Sequence, residues 1–154
     1  MISYQTEGVK IPKFRRRETT EWLRLVATEY AREIGEIAFI FCSDEQILEI
    51  NRQYLGHDYY TDIITFDYCE GNRLHGDIFI SLDTVNSNAT ELGTDPLEEL
   101  NRVIVHGILH LCGINDKGEG QRAIMEQAEN RALALRKSLQ ANKTSTARKS
   151  PLDS

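Results

Sequence analysis

The sequence predicts an α+β domain: a small mixed β-sheet packed with about five helices. Three features carry this reading. Segments with apolar residues at spacings of three and four alternate with short apolar runs, and capping residues and glycines bracket the helical segments. Two of the apolar runs are joined by a tight polar turn, as in a hairpin.

Taken in order, Thr19 or Thr20 caps a first helix whose face carries Trp22, Leu23, Val26, Tyr30 and Ile34, and Gly35 ends it. Residues 36–43, EIAFIFCS, are short, continuously apolar and rich in Ile and Phe, which suits a buried strand. Ser43 and Gln46 have the spacing of a capping box for a helix over 44–54, and a polar loop with Gly56 follows. Residues 62–68, DIITFDY, and 76–82, GDIFISL, read as two strands turning through Glu70, Gly71 and Asn72. Asp83 caps a short helix that ends at Gly93. Asp95, Pro96 and Glu98 supply a cap, a proline at the first helical position and an acid three residues after the cap, so a helix runs from there to about Cys112, with Gly113 as its stop. A last helix over 120–139 turns Ile124, Ala128, Leu133 and Leu135 inward. From Asn142 the polar sequence NKTSTARKSPLDS loses apolar periodicity, so residues 142–154 are expected to be a disordered tail and 1–141 a single folded domain.

Composition narrows the function classes. Hydrophobic residues make up 40% and charged residues 27%, with 10 Gly and 3 Pro, a globular balance that excludes collagen-like and low-complexity chains. No apolar run nears the roughly 18 residues of a membrane span, and residues 1–10 lack the pattern of a signal peptide, so a cytoplasmic protein without membrane contact is expected. Three cysteines, Cys42, Cys69 and Cys112, include no CxxC pair and read as buried thiols rather than disulfides or thiolate metal ligands. A net charge of −6 gives no general nucleic-acid footprint. The basic clusters at Lys10–Arg17 and Arg136–Lys149 read as a solvated loop and tail.

The segment with chemistry in it is His106-Gly-Ile-Leu-His110-Leu-Cys-Gly113-Ile-Asn-Asp116. Residues four apart on a helix share a face with Cβ atoms roughly 6 Å apart, so both imidazoles can address one ion. Gly113 stops the helix and lets the chain return Asp116 as a third ligand. Three nitrogen and carboxylate donors leave a fourth position open, the arrangement of catalytic zinc. The bland alternative, a buried helix with satisfied histidines, is disfavoured because two of the chain's four histidines occupy its most apolar helix. His57 and His75 are read as surface residues. Zinc proteases with an HExxHxxGxxH pattern share these offsets, but their general base follows the first histidine, where this chain has Gly107.

HGILHLCG resembles the HGxLHLxG motif of the YbeY family of metal-dependent, single-strand-specific endoribonucleases. The stretch LEINRQYLGHDYYTDIITF (48–66) resembles that family's LNxxYRxxDxxTDVLSF, and GDIFIS (76–81) its GDI strand. The resemblance implies a zinc-type ion held by His106, His110 and the residue at 116, and hydrolysis of single-stranded RNA in ribosomal RNA processing. That work includes 3′ end maturation of the small-subunit RNA and ribosome quality control. It implies the small ribosomal subunit and its proteins as partners, with no DNA target. Asp62 and Asp77 are the candidates for a catalytic base or supporting carboxylate.

Two departures stand out. The family's third ligand is a histidine; Asp116 lowers the charge of a site with two neutral imidazoles from about +2 to +1, so a bound water is expected to be less acidic. The family's arginine after Tyr54 is Leu55 here, and Arg52 or His57 are the candidates to replace it. The alternative to an enzyme is a ribosome assembly factor with a structural metal and little intrinsic cleavage; a fourth protein ligand would favour it.

Overall fold

The structure, a computed structural model, describes the backbone of residues 1–153 and the side chains of residues 1–142. The elements are β1 (Ile2–Thr6), α1 (Arg16–Glu29), β2 (Glu33–Cys42), α2 (Asp44–Ile50), a π-helical turn (Asn51–Leu55), β3 (Ile63–Asp67), β4 (Arg73–Ser81), α3 (Leu82–Leu92), α4 (Pro96–Leu111) and α5 (Gln121–Asp153). The sheet has the order β1-β2-β4-β3; β1 and β4 run parallel to β2, and β3 runs antiparallel to β4. This is the mixed α+β sheet with five helices that the sequence predicts.

Alternation along β2 and β4 divides the sheet into two faces. Ile37, Phe39, Phe41, Leu74, Ile78 and Ile80 meet Trp22 and Leu23 of α1 and Ile104 and Ile108 of α4 in the main core. The opposite face holds a smaller cluster of Cys42, Ile47 and Ile64, with Phe66 and Phe79 packed against it. Helix α4 is buried nearly all round, as its run VIVHGILHL demands, and only Arg102, His106 and His110 of its central turns are half exposed. These three sit at successive spacings of four and form one row along the helix.

Several elements depart from the sequence reading. Thr19 does not cap α1: it is fully buried and donates its hydroxyl to the Arg15 carbonyl, and the helix starts at Arg16. Helix α1 ends at Glu29 because the chain reverses through Ala31 at a left-handed φ of 58°, so Ile34 and Gly35 belong to β2. Gly35 is needed there for space, since a Cβ would lie 2.3 Å from His75 Cε1. His75 is therefore not a free surface residue; it lies in β4 and its Nδ1 accepts the Glu36 amide at 2.9 Å. Strand β1 was not expected; it pairs along residues 37–41 of β2, with Tyr4 stacked on Phe39. Ser81, not Asp83, caps α3 by accepting the Thr84 amide, and Asp83 accepts the Asp44 amide instead. The capping box at Ser43 and Gln46 forms as expected. Asp95 makes no side-chain cap bond, although Pro96 opens α4. On α5 the buried stripe is Met125, Ala128 and Ala132, while Ile124 is exposed. The expected tail, 142–154, falls almost wholly on residues whose side chains lie outside the described set.

The three thiols are free, and burial pushes Cys42 up to about 12 and Cys112 to about 11, so neither ionises near neutral pH. Among the described residues no helix is long and apolar enough to cross a membrane.

Helix α5 is anchored to α1 at one place that matters for the site. Trp22 Nε1 donates to the Ala132 carbonyl at 2.8 Å, and the Arg136 guanidinium lies 4.9 Å over the indole while its Nη1 donates to Thr19. Trp22→Phe removes that bond and part of the buried volume, and should destabilise the protein by about 1–3 kcal/mol in urea unfolding.

Candidate active site

Gly107 faces the sheet, where a Cβ would meet Ile78 Cδ1 at 2.9 Å and Ile63 Cδ1 at 3.3 Å. With that face pressed on β3 and β4, the row of Arg102, His106 and His110 turns into a cleft of about 980 Å³. Gly113, at φ +97°, ends α4; its amide returns to the His110 carbonyl and the Ile114 amide to the Leu109 carbonyl. Asn115 Oδ1 then accepts the Lys117 amide, and this turn carries Asp116 back over the helix. His106 Nε2 and Asp116 Oδ2 are 3.4 Å apart.

The other face of the His106 ring is held by α5. Its Nδ1 lies 2.7 Å from Glu129 Oε2, while Glu129 Oε1 pairs with Arg102 at 2.9 Å and Arg102 Nη2 donates to Asn130 Oδ1. A carboxylate at Nδ1 favours a proton there, which would free the Nε2 lone pair for an ion held between His106 and Asp116. Burial pulls the His106 pKa down, but the Glu129 hydrogen bond and the charges of Glu129, Asp116 and Asp62 outweigh it and leave the pKa above its ordinary value. Asp62 lines the same cleft; burial raises its carboxyl pKa, and the nearby His106 only partly offsets that.

His106, His110, Asp116 and Asp62 are thus brought to one cleft. Asp77 is not: it alternates with Ile78 along β4, so it faces away from α4, and it does not line the cleft. Leu55 and His57 line the cleft, whereas Arg52 lies outside its lining and pairs with Asp58 at 2.5 Å. Four charged side chains that line the cleft and bear on its chemistry escaped the sequence reading: Arg102, Lys117, Arg122 and Glu129. Glu129 had one signal, an acid next to the apolar stripe of the last helix, where it is only 8% exposed.

The donors suit a zinc-type ion. Two ligands each roughly 2.0–2.2 Å from a tetrahedral ion stand about 3.3–3.6 Å apart, and the His106–Asp116 separation of 3.4 Å matches that edge. Among the described residues, no three His, Cys, Asp or Glu side chains already close around one point. Both Glu129 oxygens are engaged by His106 and Arg102, so that carboxylate stands behind the His106 ring and is not free to act as a fourth metal ligand.

Comparison with known proteins identifies the chain's relatives. A family model described as Endoribonuclease YbeY matches residues 1–137. A Bacteroides fragilis protein named Endoribonuclease YbeY is 70% identical over 136 residues, 88% of this chain and 98% of the relative. The Porphyromonas gingivalis protein of that name is 51% identical over 134 residues, 87% of this chain and 89% of the relative. The solution structure of TM1509 from Thermotoga maritima aligns with a TM-score of 0.61 at 26% identity, covering 90% of this chain and 93% of that one. Fold, cleft and relatives together define a hydrolase of the endoribonuclease class. Matched over nearly its whole described length, the chain belongs to the YbeY endoribonuclease family.

Proposed function

We propose that the protein is a zinc-dependent, single-strand-specific endoribonuclease of the cytoplasm that processes ribosomal RNA. It would mature the 3′ end of the small-subunit RNA and serve ribosome quality control, in contact with the small subunit and its proteins. The observation that carries the metal reading is His106: Glu129 holds Nδ1, and Nε2 stands one tetrahedral edge from Asp116.

His106, His110 and Asp116 would hold the ion, which when bound polarises a phosphoryl oxygen and acidifies a water. The chain's own groups do the rest. Glu129 fixes the His106 tautomer and ring angle, and Arg102 pairs with Glu129 and holds it in place. Asp62, in the same cleft, would take up a proton from the attacking water. Lys117 and Arg122 line the cleft and supply positive charge where Leu55 cannot.

End-labelled single-stranded RNA tests this. The zinc-loaded chain should cut it internally and leave a perfect duplex intact; chelation should stop cleavage and added zinc restore it. Cleavage indifferent to chelation would overturn the metal reading. A zinc-loaded chain that binds small ribosomal subunits without cutting RNA would favour the assembly-factor alternative.

A further inference from the structure

We infer that the stacked pair His57 and Tyr59 forms a base-stacking subsite for an unpaired RNA nucleobase at the mouth of the cleft. The inference rests on the single-stranded RNA reading above and adds how the strand is held.

The two rings are already assembled. His57 and Tyr59 stack with centroids 5.1 Å apart and planes within 19°, and the Tyr59 hydroxyl lies 3.0 Å from His57 Nδ1. Their loop is pinned at its base: Asn51 Nδ2 donates to the Tyr59 carbonyl, the His57 amide returns to the Asn51 carbonyl, and Arg52 pairs with Asp58. Asn51, buried in the π-helical turn, therefore fixes the aromatic pair. Both rings line the cleft that holds His106 and His110. Yet Tyr59 is 54% exposed, so the pair leaves an aromatic face in water. Aromatic faces that are rigid, exposed and next to a phosphodiester-cleaving centre are what unpaired bases stack on.

Charge points the same way. The cleft is lined by five acids, Asp62, Glu99, Asp116, Glu126 and Glu129, against three cations, Arg102, Lys117 and Arg122, in a chain of net charge −6. Phosphate neutralisation, the usual source of affinity for a nucleic acid, is therefore weak here. Stacking carries no charge requirement and is available only from unpaired bases, so it supplies affinity and single-strand preference together.

Steady-state cleavage by the zinc-loaded chain, together with binding of a fluorescent single-stranded oligonucleotide, tests the subsite. Tyr59→Ala and His57→Ala should raise KM roughly 5- to 100-fold with kcat little changed. Tyr59→Trp should stay near the native KM, and Tyr68→Ala, an exposed tyrosine outside the cleft lining, should have no effect. Affinity should fall only shallowly with salt, with a log–log slope below about 2, since each phosphate contact contributes about 0.7. An oligonucleotide with abasic positions should bind the native chain weakly and lose nothing further in Tyr59→Ala. An unchanged KM in Tyr59→Ala, no rescue by Trp, or a steep salt slope would overturn the subsite while the nuclease reading stands. A native chain that neither binds nor cuts single-stranded RNA would overturn both.

Discussion

His110→Ala should remove RNA cleavage, with a loss on the order of 10³-fold or more in kcat/KM, and His106→Ala should do the same. The size follows from the role: an ion that stabilises developing charge contributes several kcal/mol to the transition state, and each 1.36 kcal/mol is about tenfold in rate. His110 lies in the half-exposed row of α4 that faces the cleft, so metal-free His110→Ala should melt close to native, whereas His106→Ala also strips the buried Glu129 of its partner and should cost about 1–3 kcal/mol. Zinc content after dialysis separates loss of the ion from loss of the fold. Glu129→Gln should be milder, about 10- to 100-fold in zinc affinity or activity, because it weakens the carboxylate behind His106 without removing a ligand. Asp116→His should retain zinc. Full activity in His110→Ala, in protein purified alongside the native chain, would remove the cleft histidines from the chemistry.

What could be read in advance, and what could not, divides by how far apart the deciding residues lie. Helix α4 announces itself through Pro96, its apolar run and Gly113, and His106, His110 and Asp116 lie within eleven residues of chain, so local spacing suffices to bring them to one cleft. Asp77 follows a glycine in a motif-like strand, but only sheet parity, set by packing of Ile78 against Gly107, decides which face it takes. Glu129 reaches His106 across 23 positions, and nothing local records that α5 is docked there by Trp22 on Ala132. Strand β1 has no strong alternation of its own and is held by its parallel pairing to β2, a long-range contact. Spacing alone carries α1 on to Ile34, because the reversal uses Ala31 rather than a glycine and Ile34 continues the helical spacing by coincidence.

Gly107→Glu should destabilise the protein by about 4 kcal/mol or more, and this variant tests why the position that carries the general base in HExxH proteases is empty of a side chain here. A mid-helix glycine normally costs about 1 kcal/mol relative to alanine, so a substitution ought to help α4. Space decides otherwise. The Cβ alone would sit 2.9 Å from Ile78 Cδ1 and 3.1 Å from its Cγ2, and Ile78 is fully buried, so Gly107→Ala should already lose about 1 kcal/mol after the propensity gain. A glutamate adds an unpaired carboxyl group aimed at the apolar sheet rather than at the cleft, where His106 and His110 point. At roughly 2–4 °C per kcal/mol for a chain of this size, the melting temperature should drop by about 10 °C or more. Gly107→Glu should gain no protease activity on casein, since the new carboxyl and the histidines lie on different faces of α4. A Gly107→Glu variant as stable as the native chain would mean that α4 can roll on the sheet, and the row of Arg102, His106 and His110 would then no longer be held toward the cleft by close packing at Gly107.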